Sequence, residues 1–248
     1  MNIINLKSEK LYTELNLHYT KIANRTRASS ILELPRLDCK IKEFLPTYLA
    51  LYHQPEDYTK NGLNTGICFF TDDHRFDNKE GLYNAIYYND INKLKFYRDR
   101  FKNVKLFIEP DYTICGDMHF AEKVSRRFKM RIVAVWLATE LQAMVIPLIT
   151  YGNERSFKYM LDGIEDSNTV AFSTKGSVRN TKKHPRQKEL LLDAIKYTVD
   201  NLNLRYIVVY STCKYETTCK LFSYATDRGV QLIIPGNRLK GLHDKRRN

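Results

Sequence analysis

One stretch constrains the fold more than any other: residues 104–152 read as a strand, a long helix and a second strand. The first apolar run, residues 104–108, stops before Pro110, which removes a backbone donor and ends a strand. Apolar residues then recur every three or four positions over residues 121–136, which predicts one buried helical face. Residues 143–149 form a second apolar run. This βαβ pattern indicates an α/β protein.

The same alternation of apolar runs and amphipathic helices continues on both sides of this unit. The runs are apolar throughout, which is typical of parallel strands that are buried on both faces. About six mostly parallel strands alternating with helices are therefore expected, in either a barrel-like or an open doubly wound arrangement. The predicted strands lie near residues 67, 105, 144, 170, 207 and 231.

A single α/β domain with two appendages is expected, because 248 residues are few for two full domains. Residues 1–60 are predicted to be an N-terminal helical and wrapping segment, since prolines such as Pro46 and Pro55 prevent long regular elements. The α/β core domain is predicted over residues 61–236, followed by a basic C-terminal tail at residues 237–248.

Four carboxylates follow two predicted strands that are consecutive in the chain. Asp72 and Asp73 follow the first apolar run, and Glu109 and Asp111 follow the second. Ligands of parallel α/β folds bind beyond the carboxyl ends of the strands. Clustered carboxylates there hold a hard divalent cation or shift one another's pKa values for acid–base chemistry. These four residues are the catalytic candidates and a divalent cation is the candidate cofactor; the alternative is that they cap helices and turns.

Other residues with reactive side chains form weaker patterns. Cys115 and His119 are four positions apart but supply only two of the four ligands that zinc needs, and Asp117 is equally well placed as the N-cap of the long helix. Ser211 and Cys213 lack a flanking nucleophile motif such as GxSxG. No standard phosphate-binding glycine loop follows any strand. These patterns add no metal ligands to the four carboxylates, and the identity of any metal is left open.

The chain is strongly basic, with 40 Lys and Arg against 28 Asp and Glu and a net charge of +12. This excess favours polyanionic partners, although AT-rich codon usage also produces basic compositions. Lys123, Arg127 and Arg131 recur at i, i+4 and i+8 on the long helix, residues 175–188 form a basic loop, and 17 tyrosines could stack on bases. The predicted nucleic-acid-binding residues are Arg126, Arg127, Lys182, Lys183, Arg186, Arg246 and Arg247.

The cysteines and the apolar segments predict the cellular setting. Five cysteines without a CxxC pair indicate a reducing compartment rather than a disulfide framework. The first residues lack the apolar core of a secretion signal. The longest apolar stretch, residues 132–149, carries Glu140 and Gln142 near its centre, which argues against a membrane span. A cytoplasmic protein without a membrane partner is expected.

Residues 66–176 contain a set of short motifs that match a known family. The matching residues are Asp72-Asp73-His74-Arg75-Phe76, Pro110-Asp111, Arg127 or Arg131, Trp136, Val145-Ile146-Pro147, Phe157, Asp162-Gly163, Val170-Ala171-Phe172-Ser173 and Gly176. On these residues the core resembles an uncharacterised family associated with phages and mobile elements of Gram-positive bacteria. The family's tryptophan after the Val-Ile-Pro strand is Tyr151 here. The resemblance implies a βα core and a phage or mobile-element setting, and it implies no activity.

Three functional hypotheses follow. The leading one is a phage or mobile-element protein that binds or processes nucleic acid through the basic residues. The alternative is a hydrolase-like enzyme acting on a small molecule through the four strand-end carboxylates. The third is an interaction protein that engages a host or phage protein. The sequence leaves the oligomeric state open and does not decide whether the protein is an enzyme.

Overall fold

A computed structural model describes residues 9–41, 45–59, 64–178 and 185–239. Over these ranges the protein is an α/β structure in which parallel strands alternate with helices. The helices are α1 (Glu9–Glu14), α2 (His18–Ala23), α3 (Leu82–Tyr87), α4 (Ile91–Phe101), α5 (Phe120–Glu140), α6 (Phe157–Met160), α7 (Pro185–Asn201), α8 (Tyr215–Leu221) and α9 (Ser223–Thr226). The strands are β1 (Ala28–Ser29), β2 (Leu34–Pro35), β3 (Tyr48–Leu51), β4 (Thr65–Cys68), β5 (Leu106–Ile108), β6 (Met144–Ile146), β7 (Thr169–Ser173), β8 (Tyr206–Tyr210) and β9 (Gln231–Ile233).

The strands from β3 to β9 are parallel and form two sheets in chain order. β3, β4, β5 and β6 make a four-stranded sheet, and β7, β8 and β9 make a three-stranded sheet. β1 and β2 pair separately as an antiparallel hairpin. The prediction of six parallel strands alternating with helices is therefore confirmed, as β4 to β9.

Strand β3 was not predicted from the sequence. It lies within residues 1–60, which the sequence analysis assigned to a wrapping segment, and it pairs with β4 from Tyr48 opposite Thr65 onward. All four of its residues are buried. Pro46 and Pro55 lie on either side of the strand, so they bound it without removing any of its hydrogen-bond donors. The N-terminal segment thus contributes a strand to the core sheet.

Single parallel bridges connect the two sheets. Leu148, just after β6, pairs with Ala171 of β7, and Tyr48 of β3 pairs with Gly236, just after β9. At the second bridge Leu49 donates its N–H to the Gly236 carbonyl at 2.8 Å, and Gly236 donates to the Thr47 carbonyl at 2.9 Å. The described strands form two bridged sheets and no closed barrel.

Both faces of the sheets are buried, as their uniformly apolar strands predict. In β8, for example, Ile207 and Val209 face one apolar cluster while Val208 and Tyr210 face another. The first cluster packs the sheets against the helices. The second cluster, called the inner cluster here, draws on both sheets and also contains Cys39 and Ile41 from the N-terminal segment.

Two helices, α3 and α4, follow β4 and are separated near Asn89, which has a φ of 51°. Asp90 then caps α4 by accepting the Lys93 N–H at 3.1 Å. Gly229 has a φ of +81° after α9, the left-handed conformation typical of a glycine that follows a helix. No helix in the described ranges combines the length and apolar character that crossing a bilayer requires.

The N-terminal segment lies along the connection between β6 and β7. Leu37 donates its N–H to the Gly163 carbonyl at 2.7 Å, and Cys39 donates to the Ser167 hydroxyl at 3.0 Å. Ile41 donates to the Asn168 side-chain oxygen at 3.0 Å. These bonds hold Cys39 and Ile41 against the inner cluster near the start of β7. The segment therefore covers the amino-terminal end of the strands.

Candidate functional site

A pocket of about 400 Å³ opens where the chain leaves β4, β5, β6 and β7. Its walls include Phe70 after β4, Asp111 after β5, Tyr151 after β6, and Ser173 and Lys175 at the end of β7. We call it the strand-end pocket. The carboxyl ends of parallel strands face the same way, which is why residues far apart in the sequence meet here.

The carboxylate that lines this pocket belongs to Asp111. Among the described residues it has no hydrogen-bond or ion-pair partner, although it is only partly exposed. Burial, together with the nearby charge of Asp73, raises the pKa of Asp111 to about 6, while the charge of Lys175 opposes the shift. The carboxyl group therefore changes its charge close to neutral pH.

Lys175 is held beside the pocket by a tight turn after β7. Its ammonium group donates to the Phe70 carbonyl at 2.8 Å. Its backbone N–H is capped by the Ser173 hydroxyl at 3.1 Å, and Gly176 adopts a φ of +85°, a conformation that suits glycine. The turn thereby fixes a cation between the ends of β4 and β7, close enough to affect the Asp111 carboxylate.

Further polar side chains line the same pocket. The Tyr151 hydroxyl is hydrogen-bonded to Ser177, and burial raises the pKa of Tyr151, so the phenol stays protonated at neutral pH. Gln187, near the start of α7, also lines the pocket. These groups can donate and accept hydrogen bonds, which suits the orientation of a polar ligand.

Asp73 serves as a structural link near the pocket. Its carboxylate accepts from the Thr113 N–H at 3.2 Å and from the Thr113 hydroxyl at 2.9 Å. Arg126 of α5 donates to it at 2.8 Å and also pairs with Glu122 at 2.7 Å. Asp73 therefore ties the segment after β4 to the loop after β5, and its charge reaches Asp111.

The remaining two acidic candidates do not join Asp111. Glu109 is buried, accepts the Leu148 N–H at 3.0 Å and forms an ion pair with Arg131 at 3.3 Å. Its oxygens are thus engaged between the sheet and α5, which argues for a structural role. Asp72 is exposed and lies 4.0 Å from Arg75. The predicted four-carboxylate cluster is reduced to Asp111 with Asp73 as its neighbour.

The basic stripe of α5 points into the protein rather than toward solvent. Lys123, Arg127 and Arg131 are all buried. Arg127 donates to the carbonyls of Met160 and Thr150, and burial lowers its pKa to about 10. A guanidinium with these partners is not presented to a phosphate backbone, so the stripe joins α5 to the chain after β6. Spacing along a helix identifies a shared face but not the direction in which it points.

The other predicted nucleic-acid contacts have different surroundings. Arg126 is engaged by Asp73 and Glu122, as described above. Arg186 is exposed in the first turn of α7, beside Gln187 of the strand-end pocket. Four predicted contacts lie outside the described residues: Lys182, Lys183, Arg246 and Arg247.

The Cys115 and His119 pair does not develop into a metal site among the described residues. No group of three or more His, Cys, Asp or Glu side chains is arranged there to hold a metal ion. The N-cap of α5 is His119 rather than the expected Asp117, and its side chain makes no capping bond. Cys115 is exposed beside the pocket.

One residue at a strand end was not predicted from the sequence, because the strand that precedes it, β3, was not predicted either. His53 follows β3 by two positions, and its Nδ1 atom is buried without a hydrogen-bond partner among the described residues. Burial lowers the pKa of His53, with further contributions from the charges of Arg75 and Lys175. The signal available in the sequence was a histidine directly after the apolar run of residues 48–52.

Together these features define a parallel α/β protein with a pocket at the carboxyl ends of its strands. Residues 26–226 match the family described as "Domain of unknown function (DUF4417)". The chain belongs to this family, because the match covers most of its length. The resemblance stated from the short motifs, to an uncharacterised phage-associated family, is thereby confirmed.

Two phage proteins are similar to this chain. The "Gene 1 protein" of Mycobacterium phage L5 is 27% identical over 192 residues, which cover 76% of this chain and 75% of the phage protein. The "Gene 1 protein" of Mycobacterium phage D29 is 24% identical over 190 residues, which cover 76% of this chain but only 63% of the phage protein. No solved structure matches the chain.

Proposed function

We propose that the protein is an enzyme that binds its substrate in the strand-end pocket and uses Asp111 to transfer protons. The observation that carries this proposal is the partnerless Asp111 carboxylate, whose pKa is raised to about 6. A side chain with such a pKa is present in both protonation states near neutral pH, which suits general acid–base catalysis. Structural carboxylates are usually paired, as Glu109 is.

The neighbours of Asp111 suit such a reaction. Lys175 supplies a fixed positive charge that stabilises negative charge developing on a substrate oxygen. Tyr151 and Gln187 offer hydrogen bonds that orient the substrate. The reaction class these groups support is proton transfer coupled to bond cleavage, in line with the hydrolase-like alternative.

The proposal is tested with Asp111→Asn in a panel of hydrolysis assays on esters, phosphoesters and glycosides. The wild-type protein is expected to turn over at least one class, with a rate that depends on an ionisation near pH 6, and Asp111→Asn to abolish that turnover. Asp72→Asn, which alters an exposed carboxylate, serves as the control and should retain activity. Full activity of Asp111→Asn would overturn the assignment.

A second candidate function, nucleic-acid binding, is supported by the exposed Arg186, which precedes the pocket-lining Gln187 in the sequence, and by the net charge of +12. Lys182, Lys183, Arg246 and Arg247 remain predicted phosphate contacts outside the described residues. Such binding weakens steeply with salt because counterions are released. Electrophoretic shifts with single- and double-stranded DNA and RNA between 50 and 200 mM salt, roughly the range over which such affinities fall, measure it.

The expected result is a shift that disappears as salt rises and weakens in an Arg186→Gln variant. Lys95→Gln alters an exposed cation on α4 and is the matched control. If no nucleic acid is shifted at low salt, this candidate function is excluded. Codon usage would then explain the basic composition.

We also infer a barrel-like arrangement of the two sheets. Two observations support this arrangement. The sheets are connected by the bridges at Leu148 and Gly236, and strands of both sheets contribute residues to the inner cluster. Such an arrangement would place the strand-end pocket at the carboxyl end of one shared core, where barrel enzymes bind their substrates.

A further inference from the structure

A second cavity, also of about 400 Å³, lies beside α4 and the segments that follow β3 and β4. Tyr52 follows β3, Arg75 and Phe76 follow β4, and Phe96 and Arg100 project from α4. None of its lining residues belongs to the strand-end pocket. We call it the Arg100 cavity.

The Arg100 side chain is positioned firmly but lacks a counter-ion. Its Nη2 atom donates to the Tyr52 carbonyl at 2.6 Å and to the Tyr58 hydroxyl at 3.2 Å, and the guanidinium lies over the Tyr52 ring at 4.6 Å. No carboxylate of the described residues pairs with it, and its Nε atom is buried without a partner. A partly buried charge without a counter-ion is costly, so this site favours a bound anion.

The charges around the cavity strengthen that preference. Arg75 lies 4.0 Å from Asp72, at the limit of an ion pair, and half of its side chain is exposed. Lys93 is neutralised by Glu80 at 2.9 Å and by Asp90 at 3.4 Å. The cavity therefore keeps two cationic guanidinium groups available, Arg75 and Arg100. Guanidinium groups bind phosphate oxygens through paired hydrogen bonds.

An exposed aromatic ring completes the cavity. Phe96 is 55% exposed although it is a large apolar residue. Its ring neighbour in the described chain is Tyr97, at 5.3 Å and a steep angle of 73°. An open ring beside guanidinium groups is the combination that binds bases by stacking and phosphates by charge.

We propose that the Arg100 cavity binds a nucleotide, with the base against Phe96 and the phosphate at Arg75 and Arg100. The nucleotide is either a free mononucleotide or one unit of a nucleic-acid chain, since both present the same chemistry. The site is separate from Asp111, so the inference does not depend on the proposed catalytic function.

Isothermal titration at low salt tests the proposal with AMP, GMP, CMP, UMP, adenosine and inorganic phosphate. At least one mononucleotide is expected to bind, and AMP to bind more tightly than adenosine or phosphate alone if adenine is the preferred base. A single-stranded oligonucleotide forms the second arm. The proposal is overturned if neither a mononucleotide nor the oligonucleotide binds.

Two variants at exposed positions assign the binding to this cavity. Phe96→Ala is expected to weaken binding about tenfold through lost stacking. Arg75→Gln is expected to weaken it about tenfold or more through a lost charged hydrogen bond. Their matched controls are Tyr88→Ala, an exposed ring outside the cavity, and Lys95→Gln, an exposed cation elsewhere on α4.

The two arms also distinguish the sources of the nucleotide. Binding of mononucleotides that both variants weaken supports a free nucleotide as the ligand. Binding of the oligonucleotide alone, weakened by the same variants, supports a nucleic-acid chain. Binding of either ligand that neither variant changes overturns the site. Because Asp111→Asn leaves this cavity intact, its effect on turnover and its lack of effect on nucleotide binding separate the two proposals.

Discussion

At the residue scale, Asp111 is held in a state that opposes stability. Its pKa is raised to about 6, so the folded protein binds a proton more tightly than the unfolded chain does. The contribution of Asp111 to the free energy of unfolding is then greatest below about pH 4 and decreases as pH rises through about 6. Functional sites often retain such unfavourable groups because the chemistry needs them.

Asp111→Asn is therefore predicted to stabilise the protein at pH 8, because it removes a poorly solvated charge. The gain should shrink as pH falls and vanish below about pH 4, where the wild-type carboxyl group is protonated in both states. Urea unfolding between pH 4 and pH 8 measures the difference. The control Asp72→Asn should show no comparable pH-dependent gain, and a destabilised Asp111→Asn protein at pH 8 would contradict the prediction.

Glu109 is expected to behave in the opposite way. Because it is buried against Arg131 at 3.3 Å, Glu109→Gln leaves an uncompensated guanidinium in the interior. The expected loss is about 3–5 kcal/mol in the free energy of unfolding. Chemical denaturation of the single variant and of Glu109→Gln with Arg131→Met measures it. The double variant should recover part of the loss, whereas additive losses would show that the two residues are not coupled.

The residue scale also shows what the sequence could and could not predict about the site. Asp111 was identifiable because it follows an apolar run and a proline, and the structure places it in the pocket. Glu109, two positions earlier, also follows the apolar run, but it pairs with Arg131 of α5, which is distant in sequence. His53 was missed with its strand. The local sequence shows which carboxylates lie near a strand end. Whether a carboxylate has an ion-pair partner depends on packing between segments that are distant in sequence.

At the element scale, the loops after β5 and β6 meet at two glycines. A Cβ atom at Gly152 would lie 2.6 Å from the Cys115 carbonyl oxygen, and one at Gly116 would lie 2.8 Å from the Gly152 carbonyl oxygen. The Gly116 carbonyl also accepts from Lys123 and Asn153, both at 2.8 Å. This close approach shapes the wall of the strand-end pocket.

Gly152→Ala is predicted to push the two loops apart and to lower the free energy of unfolding by about 1–3 kcal/mol. Displacement of the Cys115 loop should change the rate at which that exposed thiol is alkylated, which site-resolved mass spectrometry measures. Gly176→Ala is the matched control, since a Cβ there meets open space and only its own backbone is strained. If Cys115 is alkylated at the same rate in both variants, Gly152 does not determine the position of the loop that forms the pocket wall.

Elements were predictable wherever the pattern was long and strong. The strands β4 to β9 were predicted from apolar runs and α5 from a long periodic segment. Strands buried on both faces require continuous apolar residues, and a helix buried on one face requires apolar residues at every third or fourth position. β3 was invisible because four residues between prolines carry little pattern. The inward direction of the Lys123, Arg127 and Arg131 stripe could not be predicted, because the carbonyl partners of both arginines lie more than 20 residues away in the sequence, at Thr150, Met160 and Gly163.

At the scale of the whole molecule, the residues that follow β9 contact the β3 region near the other end of the chain. Gly236 exchanges two hydrogen bonds with the β3 region, and buried Asn237 donates to the Ser211 carbonyl at 2.9 Å. A chain that stops after Ile233 loses these three bonds and is predicted to unfold about 3 kcal/mol more easily. Thermal and urea unfolding measure the loss. A chain that stops after Leu239 keeps them and should be about 3 kcal/mol more stable than the shorter one; equal stability of both truncations would contradict the prediction.

The return of the chain to β3 also has a consequence for how the protein is made. Synthesis proceeds from the N-terminus, so β3 emerges from the ribosome long before Gly236. Cys39 and Ile41 likewise emerge well over a hundred residues before their partners Ser167 and Asn168. Throughout translation the nascent chain therefore carries one unpaired edge of β3 and an uncovered apolar surface. An unpaired strand edge is a template for pairing with another chain, so we expect misassembly during synthesis to start at this edge of β3.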